Sequence, residues 1–222
     1  MKKYAFSVLF ILALFLLSGV SALELSDDNL TEIDEDREVT FHNTTFEDLS
    51  QKINDTPENQ TLTLTDDYQY DGGDIHGIVI SKSITIDGAG HTIDANHSSR
   101  IFNVTANNVV VNDIKFINGN ATLGGAIFCE GDNVTIWNST FINNAADWGG
   151  ANYFKNTISH LIITGDFINN VAQISGGANY FNDKVANVSI SGDFSDNVAV
   201  NGSGAANYFF KSVTDVYIVG DY

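Results

Sequence analysis

Asp87, Asp94 and Asp113 fall in one short stretch that also holds His91, Arg100 and Lys115. Carboxylates beside a cation and a base are the equipment of enzymes that break polysaccharides. A lyase needs clustered carboxylates for a metal cation and a basic residue to take a proton, and glycoside hydrolysis needs two opposed carboxylates. These aspartates lie mainly in turn-like sequence, where Asp is favoured because its carboxylate bonds nearby backbone, so turn formation is the simpler reading. A second acidic set is periodic. Asp166, Asp193 and Asp221, preceded by Gly165, Gly192 and Gly220, recur at one repeat position. Stacked carboxylates repel unless water screens them or a cation bridges them, and an all-oxygen set suits Ca²⁺. The pattern lacks the GGxGxDxUx form of calcium-roll repeats, which leaves solvated turns as the first expectation and weak Ca²⁺ binding as the second. Tyr153, Tyr180 and Tyr208, with Phe128, form an aromatic column. If Cys129, Phe154, Phe181 and Phe209 point inward, the two-residue period of a strand turns the tyrosines outward. An exposed stripe could then bind sugar rings or a partner strand, with stacking for stability as the simpler role. Cys129 is the single cysteine. It can form no intramolecular disulfide, has no base at a recognisable spacing, and reads as a small buried apolar residue. No residue is assigned as catalytic or cofactor-binding.

Charge narrows the partners. The chain of 222 residues carries 28 Asp and Glu against 10 Lys and Arg, a formal net charge of -18. Such a surface repels nucleic acid, whose binding requires cations to neutralise phosphate, and repels anionic lipid as well. Lys2 and Lys3, the apolar run Tyr4 to Leu17 and the small-residue pattern Val20-Ser21-Ala22 read as a signal peptide over residues 1–22. The apolar run is short for a spanning helix, and no second one follows, so the expectation is an extracellular or cell-surface protein with no transmembrane anchor after cleavage. Asn-x-Ser/Thr sequons abound. Asn29, Asn43, Asn54, Asn59, Asn96, Asn120 and Asn201 are the glycosylation candidates, whereas Asn133 and Asn187 fall inside expected strands and are poorer acceptors. The competing explanation is that the architecture favours Asn in its turns.

The elements that must position these residues follow from periodicity. Residues 23–40 are acidic and read as flexible. Residues 41–74 read as an amino-terminal cap. Phe46, Leu49 and Ile53 mark a helix at about 45–55, Thr45 and Asp48 resemble a capping box, and Pro57 closes it. A strand over 61–65, TLTLT, follows. Residues 75–222 then repeat with a period of about 25 to 28 residues. Ile84, Val109, Val134, Leu161, Val188 and Val216 occupy one position of this repeat. Ile86, Val111, Ile136, Ile163, Ile190 and Ile218 lie two residues further on, on the same strand face. The repeat is too short for a propeller blade and lacks the leucines of a leucine-rich repeat. A coil of short strands stacked on the next coil at about 4.8 Å fits it. The fold expected is therefore all-β, a parallel β-helix with a short amino-terminal capping helix. Asn144, Asn170 and Asn197, with Gly119 in the first instance, predict an amide ladder along the axis. Asn152, Asn179 and Asn207 predict a second, broken at Ile127.

The repeat also resembles a known family. Gly124-Gly125-Ala126-Ile127 followed by Phe141-Ile142-Asn143-Asn144 resembles the GGA-[ILV] and FxxN pair of the polymorphic outer-membrane protein repeat. It recurs as GGAN with FINN at Gly149 and Phe167, and as GGAN with FSDN at Gly176 and Phe194. Segments Ser83 to Ala95 and Arg100 to Ala121 are similar to the opening coils of adhesin-like surface proteins of methanogenic archaea. The resemblance covers about residues 40–222. It implies a right-handed, pectate-lyase-like helix on a secreted or surface-displayed protein. The role it implies is adhesion to host or neighbouring-cell glycans or proteins. The chain departs from the family in the drift from Ile127 to Asn152, Asn179 and Asn207. It also stops at Tyr222, the repeat's closing aromatic. The expectation is a short or truncated member whose last coil leaves an apolar strand edge, open to end-to-end or edge-strand self-association. Adhesion or surface display without catalysis leads, and a polysaccharide lyase or glycoside hydrolase on the same fold is the alternative.

Overall fold

The computed structural model describes residues 44–221. The signal-peptide and acidic-segment readings at 1–22 and 23–40, the sequons at Asn29 and Asn43, and Tyr222 lie outside the described residues. Within them the chain winds into a parallel β-solenoid, a β-helix whose strands form sheets of twelve, four and six strands. One coil shows the plan. Ile127–Cys129 lies on the six-stranded face, Val134–Ile142 bends across the twelve-stranded face, and Ala145–Trp148 lies on the four-stranded face. Asn152–Phe154 then pairs in parallel with the strand where the coil began.

The apolar rungs fall where their spacing predicts. Ile86, Val111, Ile136, Ile163, Ile190 and Ile218 are in register from strand to strand. The first five are fully buried. Burying each such side chain is worth about 1.5–3 kcal/mol. The intervening residues face solvent, as Ile162 and Tyr217 do. The stack also begins earlier than residue 75. Thr61–Thr63 pairs in parallel with Thr85–Asp87 and puts Leu62 on the same rung as Ile86. Tyr68–Gln69, inside the stretch read as the amino-terminal cap, likewise pairs with Thr92–Asp94. TLTLT is thus a seventh rung, because Leu62 carries the same inward position with threonines on either side.

Helix α1, Phe46–Asp55, covers the open amino-terminal end. Its capping box is complete: the Thr45 N–H donates to the Asp48 carboxylate at 2.8 Å, and the Asp48 N–H donates to the Thr45 hydroxyl at 3.1 Å. Phe46, Leu49 and Ile53 are buried, and α1 packs against Ile78–Ile80 and Tyr68–Gln69. At the other end, Val213–Val219 pairs with Val185–Ser191 alone among the described residues and is mostly exposed.

Aromatic columns fill the later coils. Phe116, Phe141, Phe167 and Phe194 stack with ring centroids 4.9, 4.7 and 4.8 Å apart. Phe154, Phe181 and Phe209 form a second inner column at 4.8 and 4.5 Å. Close approach of coils explains the repeated glycines. At Gly150 a Cβ would lie 2.2 Å from the Gly177 carbonyl oxygen, and at Gly192, where φ is +142°, 1.8 Å from that of Gly165.

Candidate functional site

Both amide ladders exist. The Asn144 side-chain amide donates to the Phe116 carbonyl at 3.1 Å and to the Asn170 side-chain oxygen at 3.0 Å. Its own side-chain oxygen accepts from the Gly119 N–H at 2.8 Å. Asn170 repeats this pattern towards Asn197. In the second ladder, Asn152 donates to Asn179 and Asn179 to Asn207, each at 2.9 Å. Ile127 precedes Asn152 in register and has nothing to donate, so the buried Asn152 Oδ1 lacks a partner.

The aspartates of the first coils are engaged by their own turns. Asp87 Oδ1 accepts the Ala89 N–H and the Asn112 amide. Asp94 Oδ1 accepts the Asn96 N–H and the Asn118 amide. Asp113 accepts from Asn138 at 3.3 Å. Arg100 is not an accessible base beside them. It is buried, its guanidinium donates to the carbonyls of His76, Leu123 and Gly124, and it sits 5.0 Å over the Phe128 ring. Burial pushes its pKa below the ordinary arginine value. His91 finds a partner that the sequence did not indicate. Its Nδ1 lies 3.1 Å from Asp67 Oδ1, which also accepts the Thr92 N–H at 2.8 Å. That backbone bond, more than the histidine, holds the Asp67 carboxyl below its usual range. These groups line an open depression of about 530 Å³ with Asp66, Gln69 and Asp94.

Asp166, Asp193 and Asp221 are aligned and exposed. The Asp193 N–H reaches the Asp166 carboxylate at 3.4 Å. Among the described residues, no three His, Cys, Asp or Glu side chains converge as a metal-binding group. The glycine before each aspartate is required by the backbone, since a Cβ at Gly165, Gly192 or Gly220 would meet the carbonyl oxygen of the preceding coil.

The tyrosine column requires a correction. Tyr153, Tyr180 and Tyr208 do stand on the outer side of the six-stranded face, but they are not an exposed stripe. Tyr153 and Tyr180 are only 7% and 6% exposed. The rings of Phe128, Tyr153, Tyr180 and Tyr208 stack face to face at 5.8, 5.2 and 5.2 Å, so each covers its neighbour. Tyr153 and Tyr180 line a cleft of about 350 Å³ with Leu123, Trp148, Asn182 and Phe210. Burial raises the pKa of Tyr153 and Tyr180. Sequence reasoning passed over Trp148 and Phe210. The signal was there: Trp148 precedes a Gly-Gly pair where the next coil has Ser175, and Phe210 aligns after Glu130, Lys155 and Asn182.

Asn54, Asn59, Asn96, Asn120 and Asn201 are exposed, but so are Asn133, Asn138 and Asn187. Asn59, Asn96, Asn133, Asn138 and Asn187 all have positive φ, a conformation that Asn tolerates better than most residues. Turn demand therefore accounts for part of the sequon excess. Asn187 lies inside a strand as expected, though exposed there, whereas Asn133 precedes its strand. Cys129 is buried, and burial pushes its thiol up to about 12.

Fold and surface together define a parallel β-solenoid repeat protein. No family model, curated protein or solved structure matches the chain.

Proposed function

We propose that the protein is an exported, surface-displayed β-helix that works by adhesion or display rather than by catalysis. One observation carries this reading: the repeated Asn, Gly and core aromatic positions, and the aspartates of the first coils, are occupied in holding coil to coil. Three features of the sequence add support: the signal-like residues 1–22, the resemblance to polymorphic outer-membrane protein repeats and archaeal adhesin-like proteins, and the exposed sequons. The expected partners are glycans or proteins of a host or neighbouring cell. The carboxylates whose ionisation departs from the ordinary range, Asp67, Asp132 and Asp183, all shift downward, which does not suit the general acid of a glycosidase.

A carbohydrate-active enzyme is the second reading, favoured by the unrepeated cluster of Asp66, Asp67, His91 and Asp94 around one depression. A glycan array and lyase and hydrolase assays on uronic-acid and neutral polymers separate the two. Binding without turnover is expected. Depolymerisation that Asp67→Asn or His91→Ala abolishes would sink the adhesion reading.

A further inference from the structure

We infer that the cleft between Trp148 and Phe210 binds an uncharged glycan chain running along the solenoid axis. This deepens the adhesion reading and rests on it.

The lining has the two halves that a sugar needs. Trp148, Leu123 and Phe210 supply apolar and aromatic surface for the C–H face of a pyranose ring. Tyr153 and Tyr180 supply hydroxyls, and neither hydroxyl has a hydrogen-bond partner among the described residues. The Asn182 amide nitrogen is spent on the Lys155 carbonyl at 3.1 Å, which leaves its side-chain oxygen to accept from a ligand hydroxyl. A largely apolar pocket with a few convergent polar groups is the usual form of a small-ligand or sugar-chain site.

Geometry gives direction. Leu123 pairs with Trp148, Tyr153 with Tyr180, and Asn182 lies in register with Phe210. The lining therefore climbs across successive coils, on the order of 15 Å at the spacing of paired strands. The two hydroxyls recur with the 5.2 Å stacking of their rings. A repeating polymer laid along the axis meets the same donor at each step, whereas a single small molecule would use one step only.

Charge selects the class. The lining contains no ionisable acid or base apart from the tyrosines, in a chain of net charge -18. Near the lining, Lys155 pairs with Glu130 at 2.5 Å and Lys211 with Asp183 at 3.1 Å, and the buried Arg100 guanidinium is taken up by backbone carbonyls, that of Leu123 among them. A uronate or sulfated chain would find no cationic side chain among the lining residues and would approach a strongly acidic protein. An uncharged chain pays neither cost.

The test is calorimetric titration of the whole secreted chain with cellohexaose, with an oligogalacturonate of equal length, and with an apolar peptide. Trp148→Ala, Tyr180→Phe and Asp67→Asn are compared, and a thermal melt confirms that each is folded. Cellohexaose should bind and the other two should not. Trp148→Ala should weaken binding about tenfold or more. Tyr180→Phe keeps the stacked ring and removes one hydrogen bond, so about a three- to tenfold loss is expected. Asp67→Asn should leave affinity unchanged. Binding of the oligogalacturonate or the peptide at this cleft overturns the inference. So does glycan binding that Asp67→Asn abolishes and Trp148→Ala spares, an outcome that leaves the adhesion reading standing. Should no glycan or protein partner bind the chain by any surface, both fall together.

Discussion

The coils up to Ile117 and those from Asn120 onward solve one packing problem with different side chains. The early coils fill their interior with Ile78, Ile80, Ile84, Ile86 and Ile93, and tie turns together by single Asp–Asn pairs, Asp87 to Asn112 and Asp94 to Asn118. The later coils use amide ladders and stacked phenylalanines. An aliphatic rung needs only to be apolar and of the right size. A ladder rung needs its neighbour to be the same residue, because each amide is satisfied by the next. The cost of ending a ladder is visible at Asn152, whose side-chain oxygen meets Ile127 and stays unpaired. The early coils thus tolerate individual polar residues such as Arg100 and His91, while the later ones are held to a template.

The largest test of that contrast is Asn170→Ala. It strips the Asn144 backbone N–H and the Phe141 carbonyl of their Asn170 partner and leaves the Asn144 amide only the Phe116 carbonyl. Each orphaned group costs about 1–3 kcal/mol. A total loss of about 3 kcal/mol or more is expected in denaturant unfolding. Ile86→Val, on an aliphatic rung, should cost about 1 kcal/mol. Equal losses would erase the distinction between the two regions.

Arg100→Met comes next. In the early coils the guanidinium staples three carbonyls from two chain segments and covers the Phe128 end of the outer aromatic column. Losing these charge-assisted bonds should cost about 2 kcal/mol, with the methionine keeping part of the packing. A neutral outcome would mean that the segments hold together without the staple, and that Arg100 is free for another role.

Much of this was legible in the sequence. The rungs, the capping box of Thr45 and Asp48, and both ladders could be read because each depends on a spacing of two residues, three residues or one coil. Leu62 was missed as a rung since its strand precedes the clear repeat, and only its pairing with Ile86 reveals it. The outward direction of Tyr153 and Tyr180 was also readable, but their cover was not. Direction follows from strand alternation, whereas exposure depends on how closely equivalent rings lie in successive coils. Trp148 and Phe210 stand where the repeat departs from itself, and a departure points to function only once the fold shows what lies beside it.

Acid should distinguish structural carboxylates from solvated ones. Burial pushes the Asp132 carboxyl up, but the N–H groups of Ser159, Asn133 and His160 outweigh it and hold the pKa below 3.8. A folded-state pKa below the unfolded value means that the ionised form stabilises the fold. That contribution is present above the unfolded value and is lost as pH falls through the folded one. Stability should hold near neutrality and decline below about pH 4. Asp132→Asn should lower stability at neutral pH and flatten the acid limb, as measured by unfolding midpoints across pH. An unchanged limb would remove Asp132 from the set of carboxylates that bind coil to coil.

The smallest effect belongs to Cys129, which sits where the two regions meet. Its rung pairs with Val104 on the aliphatic side and Phe154 on the aromatic side. The thiol is fully buried, and burial pushes its pKa up to about 12, so almost no thiolate exists at pH 8 and little solvent reaches it. The native protein should not react with a disulfide reagent at that pH, while the denatured chain should react at once. Cys129→Val keeps the size and polarity of the site and should change stability by less than about 1.5 kcal/mol. Fast reaction in the native state would show that the stack opens at this rung, making the junction of the two packing styles its weakest point rather than a continuous part of the core.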